Sequence, residues 1–217
     1  MLEQWEALVT YFSTVADCLG KPIDEEIFET VVTLNAAGVP TVMSCGGHLD
    51  ERRGLRLPWV DIGPQDAAFQ ALVQEEEALR HEVRLAHQRL SALREQEDGQ
   101  EALLPETQNQ VYELARRLRA VQRALCVQQI PLRARLVKYL GRFYEGRLVP
   151  FDRRLILTTG LYTRLQNQGA IDLYLEAPYE LQRQKLEEYR QEIQEFTAFL
   201  KQLYFSGQTE TDQHQPA

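Results

Sequence analysis

The chain is poor in cysteine and has no long apolar run. Its three cysteines, Cys18, Cys45 and Cys126, are an odd and widely spaced set among 217 residues. They make no disulfide framework and fit a reducing compartment. No apolar stretch approaches the ~18 residues that a membrane helix needs, which excludes helical spans. A basic leader is also lacking: Met1-Leu2-Glu3-Gln4-Trp5-Glu6 is acidic where a secretory signal is basic, so the expected location is cytoplasmic. Histidine is scarce, at four residues. Cys45 and His48 form a Cys-x-x-His half-site, but His81 and His87 fall on different faces of one helix and His214 lies in the tail. Zinc would need Asp50 or Asp61 to complete the set; no metal site is assigned, and the cofactor is left unknown.

What is present is a globular composition, 44% hydrophobic and 26% charged. Trp5, Leu8, Phe12, Val15 and Leu19 form one helical stripe that Gly20 stops. Asp24 is the expected N-cap of a second helix, with Glu25 and Glu26 where the dipole favours carboxylates. That helix would bury Ile27, Val31 and Leu34 and end at Gly38, before Pro40. The period then changes. Residues 41–45 and 57–62 read as strands separated by a polar loop, with Pro58 at a strand start or a sheet edge.

A long helix follows. Phe69, Leu72, Glu76, Leu79, Val83, Ala86, Leu90 and Leu93 take alternating steps of three and four, and all but Glu76 are apolar. Residues 97–100 break the pattern, which resumes at Leu104, Thr107, Val111, Leu114, Leu118, Val121 and Leu125. Narrow stripes and a short connection predict an antiparallel coiled-coil-like hairpin. Glu76 would sit at its wet end or face a basic partner. After Pro131 comes an amphipathic piece with Leu132, Leu136, Leu140 and Phe143. Residues 155–159 and 171–175 read as strands, and a last helix carries Leu186, Tyr189, Ile193, Phe196, Leu200 and Leu203.

The expected architecture is therefore α+β. Residues 1–63 and 150–205 would form a small sheet flanked by helices. Residues 64–146 would be the inserted hairpin and its following helix, and 206–217 a disordered tail.

The chemistry concentrates in Ser44-Cys45-Gly46-Gly47-His48-Leu49-Asp50. Two glycines separate side chains capable of chemistry, and ligands of open α/β sheets sit beyond strand carboxyl ends. Arg52, Arg53 and Arg56 follow closely; guanidiniums and glycine N–H groups together suit an anion. Cys45 and His48 are the candidate catalytic pair, a nucleophile and its activating base. Ser44, Gly46, Gly47, Asp50, Arg52, Arg53 and Arg56 are the candidate ligand contacts. Thr158-Thr159-Gly160 repeats the pattern of a strand ending in small residues, and Thr158 and Arg164 join the set if that strand runs parallel to the first. A tight turn with a buried Cys45 is the competing reading.

Charge adds a third feature. The net charge is −8, yet residues 115–154 hold eleven Lys/Arg against Glu145 and Asp152. Arg116, Arg119 and Arg123 share one helical face, as do Arg135, Lys138 and Arg142. Such stripes suit a phosphate backbone, or they pair with the acidic helix carrying Glu75, Glu77 and Glu82.

The run Gly38-Val39-Pro40-Thr41-Val42-Met43-Ser44-Cys45-Gly46-Gly47-His48-Leu49-Asp50, followed by Pro58-Trp59-Val60-Asp61-Ile62, resembles an uncharacterised group of bacterial and phage-associated proteins. Their signature is a Ser-Cys-x-Gly-His loop before a Pro-Trp/Tyr-Val-x-Ile/Phe strand. The strand entering Ser-Cys-x-Gly is more distantly similar to the wybutosine-synthesis methyltransferases, whose motif ends in Arg where this chain has His48.

Together these features predict a protein that binds a small anionic, nucleotide-like ligand through the 44–50 loop, with turnover left open. The competing expectations are a structural protein dimerising through its helices and an RNA-binding or RNA-modifying protein using 115–154. No membrane partner is expected.

Overall fold

Alternation of core-facing and outward side chains organises the sheet at the centre of the fold. The structure, a computed structural model, describes residues 1–17, 19–50, 54–95, 103–169, 174 and 176–209. The chain divides into two units, residues 1–63 with 131–217, and residues 64–130.

In the first unit, α1 (Leu2–Ser13) and α2 (Glu25–Ala36) precede β1 (Thr41–Cys45). A short hairpin follows, β2 (His48–Asp50) and β3 (Gly54–Arg56), then β4 (Trp59–Ile62). After the second unit come α5 (Ile130–Tyr144), β5 (Leu155–Thr159), β6 (Thr163–Asn167) and α6 (Tyr179–Phe205). Strands β1, β4, β6 and β5 lie side by side in that order, all antiparallel. The fold is α+β.

One sheet face is closed by helices. Val60, Ile62, Leu155 and Leu165 share a buried cluster with Ile27 and Leu34 of α2, Leu136, Tyr139 and Phe143 of α5, and Ile193, Phe196 and Leu200 of α6. The sequence grouped α5 with the hairpin, but its apolar stripe is buried in this core. The terminal stripe of α6 is buried at all six expected positions. Helix α1 packs Phe12 against Val31 and Val32, but ends at Ser13, and Leu19 is 77% exposed. Gly38 ends α2 with a φ of 73°, as its place after the helix predicts.

Three expectations change. The polar stretch between the strands is a β-hairpin whose Leu55 packs on Leu186 and Tyr189 of α6. The strand expected at 171–175 falls outside the described residues except for Tyr174, and β6 lies earlier, at Thr163–Asn167. The first residues of the expected tail are anchored: Ser206 and Gln208 donate backbone N–H groups to Gln202 and Leu203. Residues 210–217 lie outside the described residues.

In the second unit, α3 (Ala67–Glu95) and α4 (Leu104–Gln128) pack together. Asp66 caps α3 by accepting the Phe69 N–H at 2.9 Å. Phe69, Leu79, Ala86 and Leu90 are buried on α3, and Leu114, Val121 and Leu125 on α4. Glu76 is buried, not at a wet end. It accepts hydrogen bonds from Arg80, one turn on, and from Gln122 near the end of α4, so the helices run antiparallel. Burial alone would raise its carboxyl, but those two donors and the Arg80 charge hold it below the usual range.

Candidate ligand-binding face of the sheet

The face opposite the core carries polar and aromatic side chains. Register places Met43 opposite Asp61, Cys45 opposite Trp59, Asp61 opposite Arg164, and Trp59 opposite Gln166. Thr158 stands opposite Arg164 on the outer strand. Each of these positions is out of phase with the core-facing Val60 and Leu165, so all share the open face. A bulge between Thr41 and Met43 shifts the alternation within β1, so that Thr41 pairs with core-facing Ile62 while Met43 and Cys45 join the open face. A cleft of about 420 Å³ is lined by Met43, Asp61, Thr158, Tyr162, Arg164 and Gln166, among others.

Arg164 is the centre of this face. Its Nε donates to Asp61 Oδ1 at 2.7 Å and its Nη2 to Asp61 Oδ2 at 2.8 Å. The guanidinium also lies over the Trp59 ring, 3.9 Å from its centroid. Two bonds and one stacking contact fix the group in place, a geometry that lysine cannot reproduce. Asp61 is 4% exposed, and Arg164 is its ion-pair partner. The hydrogen bond to Asp61 raises the already basic Arg164 further, against its partial burial, and the Cys45 sulfur contributes from the same face.

Cys45 joins the face to the β2–β3 hairpin. Its Sγ is 3.8 Å from Nδ1 of His48, which is exposed. Burial pushes the Cys45 thiol up, and the Asp24 carboxylate adds to the rise against a Gly47 N–H that lowers it. That environment favours the thiol over the thiolate that a nucleophile requires. Arg56 stands opposite His48, also exposed, and has no ion-pair partner among the described residues.

The glycine turn is structural. Asp24 does not cap its helix with its side chain; its Oδ2 accepts the Gly46 N–H at 2.7 Å instead. Arg190 of α6 donates to the Gly46 carbonyl at 3.0 Å and to the Gly47 carbonyl at 2.9 Å, and pairs with Glu26. Gly47 has a φ of 73°, and a Cβ there would stand 2.8 Å from Leu186 Cδ1 and from the Pro58 nitrogen. Packing therefore requires glycine at position 47 without any ligand. Carboxylates at the turn oppose its reading as an anion receptor.

Of the sequence candidates, the structure brings Cys45, Thr158 and Arg164 to one face, with His48 and Arg56 beside it. Ser44 stands opposite Val60, in phase with the core side, and Asp50 lies at the far end of β2 opposite Gly54. Arg52 and Arg53 are outside the described residues. The condition set for Thr158 and Arg164, a strand parallel to β1, is not met: the sheet is antiparallel, and 160–162 is an ordinary turn between β5 and β6. The candidate site is thus the face of the sheet, not the carboxyl ends of its strands. Trp59, Asp61 and Gln166 were not among the candidate contacts; period-two alternation in Trp59-Val60-Asp61 and Arg164-Leu165-Gln166 is the signal that marks them.

The chain matches no family model, no curated protein and no solved structure.

Proposed function

We propose that this is a small-ligand-binding protein whose open sheet face takes a nucleotide-like molecule. The planar ring would lie beside Arg164 and Trp59, and the anionic group would reach His48 and Arg56 past Cys45. The observation that carries this reading is the guanidinium held by Asp61 3.9 Å from the Trp59 ring centroid, with donors left over, next to a cleft of about 420 Å³. That volume suits a small molecule. The exposed Arg56 beside His48, without an ion-pair partner among the described residues, supplies positive charge that the cleft itself lacks. Burial raises the Cys45 thiol, which works against a thiolate nucleophile, so the reading is one of binding.

Calorimetric titration with the four ribonucleoside monophosphates tests it. Saturable binding of at least one is expected, weakened ten-fold or more in Arg164→Ala, roughly the ~1.4 kcal/mol of one good contact. No binding by any of the four would sink the reading.

A second reading, RNA binding through 115–154, is favoured by Arg119 and Arg123, exposed on α4 without ion-pair partners among the described residues. Other cations of that segment serve internal acceptors: Arg133 donates to Thr163, Arg135 to the Gly38 carbonyl, and Arg147 to Glu195. Steep loss of tRNA affinity with added salt would support it, and salt-independent or absent binding would remove it.

A further inference from the structure

The way Asp61 holds Arg164 restricts what the remaining donors can recognise. A guanidinium carries five N–H groups in one plane. Asp61 takes the side-on pair, one on Nε and one on Nη2. Both N–H groups of Nη1 and the outer one of Nη2 remain, and they have no acceptor among the described residues. Nη1 and Nη2 therefore present an end-on fork of two parallel donors. The side chain is 38% exposed and lines the cleft, so the fork is accessible.

The cleft is also balanced in charge. Among its described lining residues, Asp61 and Arg164 are the ionised pair, and they cancel. A free guanidinium would draw phosphate or carboxylate, but one already neutralised by a carboxylate at 2.7 Å gains less from a second anion. A neutral edge with two adjacent acceptors fits better.

We infer that Arg164 selects a base presenting two neighbouring acceptors, and that guanine, through O6 and N7, is the preferred base of the ligand. This rests on the nucleotide reading above. Arginine matched to those two atoms is the bidentate pairing that gives base discrimination in nucleic-acid recognition. Adenine sets an amino donor beside N7, so one N–H of the fork would face another N–H. A base hydrogen-bonded to the fork would be held beside a guanidinium that Asp61 and Trp59 already fix, at low cost in order.

The test uses the full chain carrying Trp5→Phe, which leaves Trp59 as the remaining tryptophan of two. Its emission reports titrations with GMP, guanosine, AMP, 7-deaza-GMP and inorganic phosphate. GMP is expected to bind at least about ten-fold more tightly than AMP or 7-deaza-GMP, which keeps the shape but replaces the N7 acceptor. Equal affinity for 7-deaza-GMP or AMP overturns the guanine inference while leaving a nucleotide site in place. Displacement of guanosine from Trp59 by millimolar inorganic phosphate would likewise overturn it, because guanosine has no phosphate to compete for at His48 and Arg56, and the fork would then be reading an anion. Absence of binding by every nucleotide defeats the underlying reading itself. Arg164→Lys keeps the charge and loses the fork, and should abolish the preference for GMP; because the comparison among ligands needs no variant at Arg164, the inference stays testable if that protein folds poorly.

Discussion

Arg164 lies across Trp59 with its guanidinium 3.9 Å from the ring centroid, and the same group grips Asp61 with two hydrogen bonds. Two strands, β4 and β6, are tied together on the solvent side of the sheet by this arrangement. Asp61→Asn should therefore loosen the face. The variant keeps the shape of the side chain but leaves Arg164 without its counter-charge, at a site where the carboxylate is buried and the arginine is partly exposed. A loss of about 2 kcal/mol is expected from urea denaturation. A shift of Trp59 emission in the Trp5→Phe background should accompany it, and an unchanged midpoint and spectrum would contradict the pairing.

Gly47→Ala should be far more harmful than Gly146→Ala. Both glycines have φ near 70°, so both substitutions meet the left-handed penalty of about 1 kcal/mol. Only at Gly47 would the new methyl also strike backbone, 2.8 Å from the Pro58 nitrogen and 2.9 Å from the Arg56 carbonyl oxygen. Nothing lies within 4 Å at Gly146. Gly47→Ala is expected to cost about 2–4 kcal/mol. Thermal or urea midpoints that are equal for the two variants would show that the turn can relax.

Cys45 should alkylate slowly at neutral pH. Burial raises its thiol, so the thiolate fraction is below that of an unperturbed cysteine, and the iodoacetamide rate should climb only at more alkaline pH. Asp24→Asn removes a charge that raises this thiol and should speed the reaction. The measurement is a pH–rate profile by mass spectrometry of the Cys45 peptide. A fast reaction at pH 7 would reverse the conclusion that Cys45 is not a primed nucleophile.

Asp152 sets an acid-side slope of stability. Burial would raise its carboxyl, but the Lys185 hydrogen bond and charge, with the Tyr189 hydroxyl, outweigh that and lower it. A lowered folded pKa means that the contribution is present above the ordinary carboxylate value of ~3.9 and is lost as pH falls through the folded one. Asp152→Asn should cost about 1–2 kcal/mol at pH 7 and much less near pH 3. Urea midpoints at the two pH values check this, and a cost independent of pH would place the effect elsewhere.

Long periodic elements were legible from the chain alone. Leu186, Tyr189, Ile193, Phe196, Leu200 and Leu203 announce both a helix and the face it buries, because i to i+3 and i+4 spacing requires no partner to be read. The same holds for Ile27, Val31 and Leu34, and for the two stripes of the hairpin. Boundaries failed where the local signal was weak: Leu19 continues the stripe of α1 on paper but lies beyond the helix end at Ser13.

At the site, sequence determined which residue types stand near one another along the chain: Cys45 three before His48, Trp59 two before Asp61, Arg164 two before Gln166. Only the tertiary structure decided which segments meet. Strand partners are set by burial of Val60, Ile62 and Leu165 against α2, α5 and α6, and that choice carries Arg164 to Asp61 across 103 positions of chain. It also gave the glycine pair its meaning, since the atoms that forbid a side chain at Gly47 come from Leu186 and Pro58. Local periodicity is written in consecutive residues, whereas an ion pair between distant strands follows from packing, which no short stretch of sequence encodes.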